Sequence, residues 1–67
     1  MTRLIRENKR YEFIQQNFNN STSILDKKTQ KMSNWNTGYE AEEEKEFLIS
    51  CNDDAFNKYC ESIINAV

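Results

Sequence analysis

The sequence predicts a small all-α fold, three to four short helices in one domain over residues 1–67, and three observations predict it. Phe56, Tyr59, Cys60, Ile63, Ile64 and Val67 recur at helical spacing and stack on one face. Ala41-Glu42-Glu43-Glu44-Lys45-Glu46-Phe47-Leu48 consists of strong helix formers with acids near the favourable N-terminal end. Leu4, Tyr11, Ile14 and Phe18 form a heptad-like seam near the N-terminus, broken at Glu7.

Taken in order, the seam predicts a helix over about residues 3–18. Its competitor is a β-hairpin with strands Arg3–Arg6 and Arg10–Gln15, turning at Glu7-Asn8-Lys9. That turn lacks the glycine that two-residue hairpins favour, so the helix is preferred. The hairpin would make the fold α+β, with an N-terminal β-hairpin and a C-terminal helix. Asn17, Asn19, Asn20, Ser21 and Thr22 form a polar break. Ser23 then caps a short helix through Ile24, Leu25 and Met32, ending near Ser33-Asn34 with a thin apolar face. Trp35 sits in a loop that ends at the only glycine, Gly38.

Thr37 and Glu40 fit a capping box, which predicts a helix over about 38–50. A strand at Phe47–Cys51 is disfavoured by the poor strand propensity of the preceding acids. Asn52 is a good N-cap, and Asp53 and Asp54 occupy the first turn of a helix over about 53–66. Leu48, Cys51, Ala55 and Tyr59 keep a stripe across the junction, so one continuous helix is the alternative. The C-terminal stripe is expected at the centre of the core.

A chain of 67 residues is too short for doubly wound sheets, and domains near this size are marginally stable. It contains no histidine, which removes the commonest general base and metal ligand. Cys51 and Cys60 supply at most two of the four ligands of a structural zinc site, and they read as reduced, buried residues. No metal, no cofactor and no enzymatic activity are expected. No apolar stretch approaches a membrane span of roughly 18–20 residues. The charged Met1–Arg10 segment lacks the apolar part of a signal peptide, so a cytoplasmic location is expected.

Charge divides unevenly along the chain. Residues 1–31 carry seven cations and three carboxylates, and residues 32–67 carry two and eight, for a whole-chain charge of −2. Glu40, Glu42, Glu43, Glu44 and Glu46 form the densest run. As the plainest reading they are a solvated helical face; as a candidate site they dock a partner with a basic surface. Trp35 and Tyr39 read first as a core plug that closes the loop over the helices, and second as aromatic anchors for that partner. On the helical reading Glu42, Glu43 and Glu44 are all exposed. Arg3, Arg6, Lys9 and Arg10 would form a basic helical stripe beside Tyr11 and Phe13, and Lys27–Trp35 has some flavour of a DNA-reading helix. A sequence pI near 5.0 argues against nucleic acid as the main partner.

The function these features predict is a non-enzymatic binding protein, a regulator or inhibitor that docks on a larger macromolecule. A subunit of a large assembly and a small nucleic-acid-binding regulator are the alternatives, and a homodimer stays open. Asn-, Lys- and Ile-rich usage suits an AT-rich genome such as that of many phages.

Overall fold

A period of two, not 3.6, governs the first half of the chain. In the computed structural model, which describes all 67 residues, strands β1 (Thr2–Glu7), β2 (Tyr11–Gln16), β3 (Thr22–Asp26) and β4 (Lys31–Met32) precede helices α1 (Gly38–Ser50) and α2 (Asp53–Asn65). The fold is α+β, which corrects the all-α expectation and fits the hairpin alternative. The helix expected over 3–18 is the β1–β2 hairpin, and the one expected after Ser23 is β3, a turn and β4. The DNA-reading reading of Lys27–Trp35 falls with that second helix.

The four strands form one antiparallel meander in the order β1-β2-β3-β4. Along β2, Tyr11, Phe13 and Gln15 are buried while Glu12, Ile14 and Gln16 are half-buried on the other face. Phe13 pairs with Ile24 of β3, Tyr11 with Asp26, and Gln15 with Thr22. A register shift between Leu4 and Arg6 marks a β-bulge, which turns Ile5 toward the core it partly packs against.

The turns are closed by side chains in place of glycine. Asn8 Oδ1 accepts from the backbone N–H of Arg10 and of Tyr11, both at 2.9 Å. Asn19 Oδ1 accepts from Ser21 N–H at 3.1 Å, and Asp26 Oδ1 from Lys28 N–H at 2.9 Å. Asn20 and Gln30 hold the left-handed backbone positions, with φ of 61° and 63°. Gly38 opens α1 at φ 61°, a setting that favours glycine.

Both helices lie where expected. Asn52 caps α2 by accepting from Ala55 N–H at 2.8 Å. Thr37 precedes α1 without a side-chain capping bond, so the expected capping box is not formed. Extended backbone at Cys51 and Asn52 separates the helices, which excludes one continuous helix. The core joins Tyr11, Phe13 and Ile24 of the sheet to Leu48 of α1 and to Phe56, Cys60 and Ile64 of α2. The C-terminal stripe thus splits: those three of its residues are buried, Tyr59 and Ile63 lie at the margin, and Val67 is exposed. Cys51 and Cys60 are both free thiols, the first half-buried and the second buried. No helix is long and apolar enough to cross a membrane.

Candidate docking surface

Helix α1 buries Ala41, Glu44 and Leu48 at positions i, i+3 and i+7 against the rest of the molecule. The opposite side carries Tyr39, Glu42, Glu43, Glu46 and Ile49, which together with half-buried Lys45 line a shallow groove of about 390 Å³. Tyr39 is 74% exposed and Ile49 53%. Glu40 and Glu43 flank a second groove with Phe47 and Tyr59, whose rings lie 5.5 Å apart. None of Glu40, Glu42, Glu43 or Glu46 enters an ion pair. The helix therefore presents four uncompensated carboxylates around exposed apolar side chains.

Glu44 departs from the expectation for the acidic run. It is buried, and three neutral donors from three segments converge on its carboxylate. Thr22 Oγ1 donates to Oε1 at 2.8 Å, while Asn36 Nδ2 and Tyr59 Oη donate to Oε2 at 3.0 and 2.7 Å. Burial pushes the Tyr59 phenol up, and the bonded Glu44 carboxylate pushes it further. Glu44 is a structural tie of α1 to β3, the β4–α1 segment and α2; it lies at the edge of the second groove, but its carboxylate oxygens are already bonded within the chain.

The structure thus brings Tyr39, Glu42, Glu43 and Glu46 to one groove, sets Glu40 on the neighbouring one, and buries Glu44 beneath that second groove with its oxygens bonded within the chain. Trp35 is half-buried and lines neither. Ile49 and Phe47, not singled out in the sequence, join the exposed side. Their signal was helical spacing, with Ile49 three residues beyond Glu46 and ten beyond Tyr39.

The basic set is dismantled by the fold. Arg3 donates to Gln15 Oε1 at 2.8 Å. Arg6 Nη1 donates to the carbonyls of Leu48 and Cys51 at 2.6 and 2.7 Å, with its guanidinium over the Phe56 ring at 4.6 Å. Arg10 pairs with buried Asp26 at 3.1 Å and Lys27 with Glu7 at 2.8 Å. The helical stripe expected from Arg3, Arg6, Lys9 and Arg10 does not exist, because these residues lie on a strand and a turn. No group of three or more His, Cys, Asp or Glu side chains is placed to hold a metal ion. No family model matches the chain, and neither a curated protein nor a solved structure matches it.

Proposed function

We propose that this protein is a non-enzymatic binding protein that regulates or inhibits a larger protein in the cytoplasm by docking helix α1 on a basic surface. The observation that carries the reading is the unpaired state of Glu40, Glu42, Glu43 and Glu46 around exposed Tyr39 and Ile49. Four close carboxylates repel one another, and a cationic partner relieves that repulsion. Tyr39 and Ile49 supply apolar area to anchor what the charges attract. A nucleic-acid partner is less favoured, because Arg3, Arg6, Arg10 and Lys27 are engaged within the chain.

The test compares two triple variants with the parent in capture from native lysate, followed by binding kinetics on the captured protein. Glu42→Gln, Glu43→Gln and Glu46→Gln together should leave the fold intact and slow association. The parent's advantage should shrink as salt rises, since exposed charges are screened within about 8 Å at physiological ionic strength. Lys9→Gln, Lys28→Gln and Lys31→Gln together should have little effect. The reverse outcome would assign binding to the basic turns and bring the nucleic-acid or acidic-partner reading forward.

A further inference from the structure

Two tyrosines pack into or against the core, and only one has its hydroxyl satisfied within the chain. Tyr59 Oη donates to Glu44 at 2.7 Å. Tyr11 is 3% exposed, with its ring in the core cluster, and the only hydrogen bonds at this residue are those of its backbone. Buried tyrosines usually find a partner for the hydroxyl. That of Tyr11 is not sealed from the outside, because Tyr11 lines a pocket of about 260 Å³ between the start of β2 and the side of α2. With the ring in the core, the hydroxyl is the polar end that Tyr11 turns toward this pocket.

Helix geometry assembles the rest of the lining. Asn57, Lys58 and Glu61 share one side of α2 and border the pocket together with Arg10 and Tyr11. Arg10 gives Nε and Nη2 to Asp26 at 3.3 and 3.1 Å, which leaves Nη1 free, and its guanidinium lies over the Tyr11 ring at 5.4 Å. Asn57 Oδ1 accepts from Asn8 Nδ2 at 2.6 Å, so its own NH₂ group is free to donate. Lys58 meets only Asp54, at 3.4 Å in an exposed pair. Burial pushes the Tyr11 phenol up, so the hydroxyl keeps its proton at neutral pH. Four donors therefore border the pocket, together with a single carboxylate, Glu61, which enters no ion pair.

We propose that this pocket binds a small zwitterion, a free α-amino acid with a polar side chain, whose carboxylate meets the four donors and whose ammonium meets Glu61. Charge makes the choice. Asp26 neutralises Arg10 and Asp54 sits beside Lys58, so the pocket has no positive excess to hold a phosphate or a polyanion. A zwitterion requires no net charge, only separated groups of both signs, and the pocket presents these. Size agrees: about 260 Å³ is below the roughly 300–1,000 Å³ of sites for drug-sized ligands. The side-chain preference follows from the neighbouring trough, which shares Arg10 and Asn57 and adds Asn8, Lys9 and Asp53 without any apolar residue. No residue of α1 takes part, so binding here and docking by α1 are independent.

Titration of the isotope-labelled full chain with L-glutamine, followed by two-dimensional NMR, tests this. L-Glutamine up to about 20 mM should produce saturable amide shifts centred on Arg10, Tyr11, Asn57, Lys58 and Glu61. L-Leucine lacks the polar side chain and acetate lacks the ammonium, and each should bind at least about tenfold more weakly. Tyr11→Phe removes only the unbonded hydroxyl, and Glu61→Gln only an exposed charge. Both variants should keep the parental melting temperature and weaken L-glutamine binding at least about tenfold. Glu43→Gln, on α1, should bind like the parent. The absence of a saturable shift with L-glutamine, acetate or L-leucine binding as tightly, or either pocket variant binding like the parent would each overturn the proposal.

Discussion

At the scale of single residues, Glu42, Glu43 and Glu44 are adjacent in sequence and unlike in consequence. Glu42 and Glu43 face solvent, whereas Glu44 receives three donors and meets no acceptor. A glutamine at 44 would replace three charge-assisted bonds with neutral ones and force the Thr22 hydroxyl to reverse from donor to acceptor in front of its NH₂ group. Glu44→Gln should therefore destabilise by about 1–3 kcal/mol, and Glu43→Gln should stay within about 0.5 kcal/mol of the parent. Urea denaturation of both variants checks this; equal midpoints would mean that the converging bonds contribute nothing. Nothing in the acidic run itself marks Glu44, because its partners lie 22 residues before it, in the loop at Asn36, and on the next helix. The four exposed glutamates, by contrast, were legible as a surface from the helical pattern alone. The two thiols divide in the same way. Burial, reinforced by the Glu44 charge, pushes the Cys60 thiol up to about 12, while Cys51 is half-exposed. A thiol reagent at neutral pH should modify Cys51 in the folded chain and reach Cys60 only on unfolding. Mass spectrometry of the native reaction would detect two fast modifications if the core opens readily.

Among the elements, both helices were readable, the β1–β2 hairpin was readable only as the competitor of a helix, and β3 and β4 were not, for identifiable reasons. Asn52, the paired aspartates and the Phe56–Cys60–Ile64 spacing state the helical character of α2, with only its separation from α1 left open by the stripe across the junction. In the first half, the residues at helical spacing scatter in the fold. Leu4 and Ile14 lie on the outer face, Tyr11 faces the core, and Phe18 sits exposed in a turn. The bulge after Leu4 shifts the phase of β1, and Gln15 takes a buried position where alternation would place an apolar residue. Turns closed by Asn8, Asn19 and Asp26 conceal the hairpins further, since no glycine announces them. The junction of the two classes of element rests on Arg6, which leaves the edge strand to satisfy carbonyls at the C-terminal end of α1. Arg6→Ala should cost about 1.5–3 kcal/mol, the range for hydrogen bonds to a charged group. Amide exchange should rise first around Ser50–Asp53. Uniform loss of protection along both helices would show instead that the α1–α2 turn does not open separately.

For the molecule as a whole, titration separates the forces that limit the fold at the two ends of the pH scale. Asp26 is held at about 2, chiefly by its hydrogen bonds from Arg10, against a burial that opposes ionisation. A carboxyl whose value is lower in the folded chain than in the unfolded one, about 3.9, binds fewer protons when folded. Its contribution is therefore fully present above about pH 4 and is lost as the pH falls through about 2. Cys60 behaves with the opposite sense. Its folded value of about 12 lies above the ordinary thiol value of about 8.5, so its contribution is intact below that value and declines as the pH rises toward the folded one. The phenol of Tyr59, displaced upward by burial and by Glu44, adds to the same alkaline decline. The parent should accordingly lose stability between about pH 4 and 2 at one end and above about pH 9 at the other. Asp26→Asn removes the acid titration while keeping the shape of the side chain, so it should be less stable than the parent at neutral pH. The two should converge as acid protonates the parent's Asp26. Thermal melts of both chains at matched ionic strength across the acid range read this directly. If the difference between them stays constant down to about pH 2, the Arg10–Asp26 pair is not what the acid limb dismantles.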